Sequence, residues 1–127
     1  MKRDMDLVRA ILKEFESNED KTWLPKLSIE GYSDALVQHH IEIMSDAGLL
    51  QPVFGSHSSS KLYYEKICGY RLGWDGHEFL DASRDESRWK QAKGIMTKIG
   101  GATLEIMKQI LAQLMAEQVK QYMGMNP

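Results

Sequence analysis

Residues 37–50 read VQHHIEIMSDAGLL. Val37, Ile41 and Met44 recur at helical spacing, and Leu36, His40, Ile43 and Ala47 form the adjacent row, so one side of this stretch is built for a core. Ser33 offers an N-cap and Gly48 a C-terminal stop, which sets a helix at residues 33–47. Leu49 and Leu50 then lead into a strand. The outward positions are Ser33, Asp34, Gln38, His39 and Glu42, and the quoted stretch holds neither lysine nor arginine. What this helix presents to solvent therefore bears on function as much as what it buries.

Upstream, Asp4 caps a first helix whose Val8, Ile11, Leu12 and Phe15 fall on one stripe. Residues 17–21 end it. Residues 23–29, interrupted by Pro25, read as an extended segment with a short strand, and Glu30-Gly31-Tyr32 as a turn. Downstream, residues 51–72 read as two strands around a small polar loop at residues 55–60. Leu62, Tyr64 and Ile67 line the return strand. Asp75, with Glu78 three residues later, opens a third helix in the manner of a capping box. Apolar residues from Phe79 to Ile99 continue at helical spacing, which predicts one helix over residues 76–99 kinked near 83–86. Gly100-Gly101 breaks it, and Thr103 caps a last helix that runs to about Tyr122.

A long helix ending in Ala-Gly-Leu-Leu and feeding a hairpin is the winged-helix pattern. The expectation is an α+β, mostly helical fold: a winged helix-turn-helix-like domain with a β-hairpin wing and two additional C-terminal helices. The chain of 127 residues reads as a single domain, with a core at 1–72 and a helical extension at 73–127. Hydrophobic residues at 43% and charged residues at 27% are the balance of a soluble globular protein. No long apolar run and no signal peptide is recognisable, and Cys68 stands alone, so the expected compartment is the cytoplasm and no membrane partner is expected.

The chain resembles a family of short bacterial and phage proteins, a domain of unknown function. MKRDMDLVRAIL at the start, HHIEIMSDAGLL in the middle, RLGWDGHEFLDASRD later and GGATLEIMKQIL near the end carry the match. The resemblance implies a winged-helix-like fold and brings no established activity or catalytic residue. One departure stands out. A helix-turn-helix has a separate scaffold helix before its reading helix, and residues 23–32, with Pro25 and Gly31, are too irregular to supply a full one.

Net charge is −2, unevenly spread. Residues 1–50 hold six Lys/Arg against ten Asp/Glu, a net of −4, whereas residues 51–127 hold ten against eight. A DNA-reading role for the helix at 33–47 and the wing at 51–72 would use Gln38 and His39 on bases, with His57, Lys61 and Lys66 of the wing in contact. Asp34 and Glu42 would repel phosphates, whose neutralisation dominates affinity. DNA is thus disfavoured by charge, and a protein partner of unknown identity is the preferred expectation.

Other chemistry finds little support. Adjacent His39 and His40 point about 100° apart on a helix, and neither has a metal ligand four residues away, so no metal site and no cofactor are expected. His40, on the apolar side, reads as a core-edge histidine bonded to backbone. Cys68, in a strand, reads as a small buried residue; the serines around His57 lack the surroundings of a nucleophile; no enzyme activity is expected. Asp81, Asp85 and Glu86 alternate with Arg84, Arg88 and Lys90 at ion-pair spacings. In the basic stretch 84–98, Trp89 is expected to pack inward. The last helix is apolar over more than half its circumference, more than one packing face needs. Met107, Leu111, Leu114, Met115, Val119 and Tyr122 are accordingly expected to form a homodimer interface.

Overall fold

The computed structural model describes residues 2–18, 27–59, 62–101 and 103–124, without the side chains of 56–59 and 62–65. Its elements are α1 (Met5–Ser17), α2 (Asp34–Asp46), β1 (Leu50–Ser59), β2 (Leu62–Leu72), α3 (Trp74–Ser83), α4 (Glu86–Ile99) and α5 (Leu104–Tyr122). The fold is mostly helical α+β, with one antiparallel hairpin between helices, consistent with a winged-helix-like arrangement. Residues 27–33 form no helix; residues 19–26, which include most of the expected extended segment, lie outside the described residues. The chain divides into two compact units, Met1–Glu78 and Phe79–Pro127.

In the first unit, local sequence sets each helix end. The Asp4 side chain accepts a hydrogen bond from the Leu7 amide at 3.1 Å, and the Ser33 hydroxyl accepts one from the Leu36 amide at 3.2 Å. Each satisfies a donor that the first helical turn leaves over. Leu7, Val8, Ile11, Leu12 and Phe15 of α1 are buried, as are Val37, His40, Ile41 and Met44 of α2. Helix α2 ends in a Schellman motif. Gly48 takes φ +82°, its amide reaches Ser45 O at 3.1 Å, and the Leu49 amide reaches Met44 O at 2.9 Å. That turn aims buried Leu49 and Leu50 into the core and starts β1.

The hairpin is longer than expected. Gly55 to Ser59 continue β1 rather than forming the loop, because they keep pairing, through Ser59 opposite Leu62. Ser60 lies outside the described residues. The register runs from Leu50 opposite Leu72, with an irregularity at Val53/Phe54 that leaves Cys68 without a partner across the ladder. This is a β-bulge. Cys68 is half-buried there, not buried as expected.

The predicted helix over 76–99 is two helices. Arg84 and Asp85 separate them, and the Asp85 carboxylate caps α4 by accepting from the Arg88 amide at 2.7 Å. The Ser83 hydroxyl donates to Leu80 O at 3.2 Å. Side chains that bond nearby backbone stop a helix where apolar spacing alone would carry it on. Helix α3 also starts at Trp74, so Asp75 is its second residue and not its cap.

In the second unit, α4 buries Trp89, Ala92 and Met96, and α5 buries Met107 and Leu111. Trp89 packs inward as expected and meets Phe79 edge-to-face, the ring centroids 6.2 Å apart. Gly100, at φ +85°, ends α4, and the Thr103 hydroxyl caps α5. Arg88 joins three helices, donating to Ala82 O at 2.9 Å and to Gln118 Oε1 at 2.6 Å. Of the ion pairs anticipated here, Arg84–Asp81 forms at 2.9 Å on the surface.

Gly76 is where α3 crosses the end of the α2–β1 turn. A Cβ there would collide with the carbonyl of Leu49, which is backbone and cannot swing aside. Gly76→Ala should therefore cost about 2 kcal/mol in urea unfolding, whereas Gly94→Ala, with open space around it, should stabilise or be neutral.

Candidate interaction surface

The surface of the first unit follows from what α2 buries. One residue on its inner side, His40, is fully buried and polar. Its Nε2 accepts a hydrogen bond from the Asp4 amide at 2.9 Å, and its Nδ1 lies 3.0 Å from Leu36 O. A backbone amide can only donate and a carbonyl can only accept. The imidazole is therefore neutral with its proton on Nδ1. Asp4 also caps α1 with Oδ1 and accepts from the Tyr32 hydroxyl with Oδ2 at 3.2 Å. One aspartate and one histidine thus tie the start of α1, the turn at residue 32 and the middle of α2. The core-edge histidine expected at position 40 is found, bonded to backbone on both sides.

The outer face of α2 is exposed. Ser33, Asp34, Gln38, His39 and Glu42 all reach solvent. Two of these expected contact residues serve local structure: Ser33 is the N-cap, and Asp34 accepts from the Ser28 hydroxyl at 3.0 Å. His39 stands with its ring 6.3 Å from that of His40. Among the expected wing contacts, Lys66 is exposed, the His57 side chain is undescribed, and Lys61 lies outside the described residues. Asp34, Gln38, His39 and Glu42 thus share α2, with Ser33 at its N-cap and Lys66 separately on β2.

Sequence reasoning missed the hairpin's apolar end. Residues opposite each other in an antiparallel pair share a face, and every second residue along a strand repeats it. Leu50, Pro52 and Phe54 of β1 therefore stand with Leu72, Tyr70 and Ile67 of β2. The near end of this face is buried at Leu50 and Tyr70, but Phe54 and Ile67 are 54% and 46% exposed. The bulge at Cys68 is what returns Ile67 to that face. Gly55 lacks a Cβ that would collide with Cys68 Sγ, so the bulge has room. Alternation counted along β2 alone puts Ile67 opposite Tyr70's face, which is why the patch was not legible.

Carboxylates border this face. Burial first, then Glu42 and Asp46 of α2, push the Tyr70 phenol above its ordinary value of 10.0. The Tyr32 phenol is also raised, by desolvation and then by the charge and hydrogen bond of Asp4. The second unit has its own uncovered apolar residues, Ile95 and Ile99 of α4 among them. Met107 and Leu111, assigned to a dimer face, are buried within the chain and unavailable to a partner; Leu114 is half-buried, and Met115, Val119 and Tyr122 are exposed. Among the described residues, no group of three or more His, Cys, Asp or Glu could hold a metal ion. No helix among them is long and apolar enough to cross a membrane.

The described residues define a small, mostly helical α+β protein with one antiparallel hairpin between helices in the sequence. The family model described as "Hypothetical protein (DUF2513)" matches residues 2–103, and the chain belongs to that family. A Haemophilus influenzae protein described as "Uncharacterized protein" is 29% identical over 120 residues, which is 92% of this chain and 98% of that one. No solved structure matches.

Two measurements check the geometry. His40→Ala leaves the Asp4 amide without its partner and should cost about 2 kcal/mol more in chemical unfolding than His39→Ala on the exposed side. The raised phenols fix a sign at alkaline pH. A folded pKa above the unfolded one means a contribution to stability that is present below about pH 10 and lost as pH rises further. Tyr70→Phe should therefore flatten the alkaline fall in stability, read as urea midpoints between neutral pH and the upper end of that window.

Proposed function

We propose that this protein is a non-enzymatic regulatory module that binds another protein through the uncovered hairpin end and the neighbouring α2 face. One observation carries the reading. Phe54 and Ile67 extend the hairpin's core face outward from Tyr70, and both are largely exposed. A cross-strand apolar pair left in water favours a partner that removes it from water, and Glu42 and Asp46, which act on Tyr70 on the same face, favour a partner with basic residues at its rim.

A winged-helix-like arrangement raises the DNA reading, but α2 argues against it. The helix that would enter a groove presents Asp34, Glu42 and Asp46 and holds no lysine or arginine. DNA binding draws most of its strength from phosphate neutralisation, so such a helix starts from repulsion.

The test separates the two. Titrated with mixed duplex DNA at about 50 mM salt and again at about 200 mM, the protein should bind at neither. A salt-sensitive complex would replace the present reading with the nucleic-acid one. In parallel, a partner recovered from lysate of the encoding organism should be retained by His57→Ala and lost by Phe54→Asp. Retention by Phe54→Asp would remove the hairpin end from the account. As Phe54 is exposed, that variant should change stability by less than about 1 kcal/mol.

A further inference from the structure

Of the residues that α2 buries, His40 alone can take up a proton. Its two nitrogens are committed to opposite roles. Nε2 accepts from the Asp4 amide at 2.9 Å, and Nδ1, which carries the ring proton, faces Leu36 O at 3.0 Å. Both partners are backbone groups, so neither can reverse its role when the ring does. A second proton has one place to go, Nε2, where it would point at another N–H. The groups around the ring offer little relief. Asp4, Asp6 and buried Arg9 belong to the start of α1, Tyr32 to the turn before α2, His39 to α2 itself and buried Tyr70 to the hairpin. Asp4 is the acid whose backbone bonds the ring, and its carboxylate already accepts from the Leu7 amide and the Tyr32 hydroxyl. His39, its ring 6.3 Å away, adds a like charge when it too is protonated.

We propose that His40 is an acid-sensitive latch between α1 and α2: protonation of Nε2 releases the Asp4 amide and with it the start of α1. The second proton cannot enter without a rearrangement. If the ring stays where it is, two donors face each other, and the Asp4 amide is left without a partner in a part-buried place. If the ring swings toward the Asp4 carboxylate, the amide loses its partner as well, and the α1 cap and the Tyr32 bond are disturbed with it. Both routes cut the bond that joins the start of α1 to the middle of α2. The sign follows from this. The fold is matched to the neutral ring, whereas an imidazole in the unfolded chain is protonated below about pH 6.5. The latch therefore holds at neutral pH and opens as the pH falls. It lies on the inner side of α2, so it goes beyond the docking reading of the hairpin end and does not rest on it.

The test follows the full chain from about pH 7.5 to about pH 5.5 by NMR and by urea unfolding. The protection factor of the Asp4 amide should fall roughly tenfold or more, ahead of that of the Ile11 amide in the buried part of α1. The folding equilibrium should fall roughly tenfold, the factor by which proton uptake favours the unfolded chain over that range. His40→Gln puts an uncharged carbonyl where Nε2 accepts, and it should lose this acid dependence. His39→Gln, on the exposed side, should keep it. If His40→Gln fails to fold, wild type decides: the His40 ring carbon-bound protons report uptake of the proton, and the Asp4 amide reports release. A His40 ring that takes up its proton while the Asp4 amide stays protected would overturn the proposal. So would an acid dependence that His40→Gln shares with wild type.

Discussion

The first unit depends on a neutral imidazole inside it. His40 has no exposure, and it accepts the Asp4 amide on one nitrogen while its other nitrogen faces Leu36 O. A buried polar ring is tolerated only when its hydrogen bonds are met. Meeting them here fixes the start of α1 against the middle of α2. Asp4 then completes the arrangement by capping α1 and holding Tyr32. With α2 so held, its buried row leads through Gly48 into β1, and its other side is left to solvent. The function proposed for the surface therefore begins from an interaction in the core.

That constraint also explains why a helix in the position of a reading helix can lack positive charge. Its inner side, His40 included, is committed to α1 and the hairpin. Its outer side is polar with acidic residues, and beside it the hairpin runs past its cover to expose Phe54 and Ile67. The two features suit a protein surface better than a phosphate backbone. The second unit follows the same logic with different parts: Trp89, Met107 and Leu111 fill its core, while isoleucines line a groove outside it.

Much of this was legible in the sequence because local rules act locally. Asp4, Ser33 and Thr103 cap helices where their side chains suggested, and Gly48 and Gly100 end helices in the left-handed region. His40 and Trp89 face inward because helical spacing put them among apolar neighbours. Four features were hidden, in whole or in part. The kink expected near 83–86 is a full break at Arg84-Asp85, because side chains there outcompete a continuous apolar period. The strand through Gly55–Ser59 depends on pairing, which small polar residues do not announce. On α5 the apolar excess was visible but not its partition, because Met107 and Leu111 could be placed on either side until α4 was in position. Ile67 joined the patch only through a bulge that period-two counting cannot foresee.

The most direct test of the central claim is a long-range nitrogen–proton NMR spectrum of the histidine side chains at neutral pH. The account predicts a His40 ring with Nδ1 protonated, Nε2 bare, and a slowly exchanging Asp4 amide. A His40 ring protonated at Nε2, or averaging between tautomers beside a fast-exchanging Asp4 amide, would contradict it.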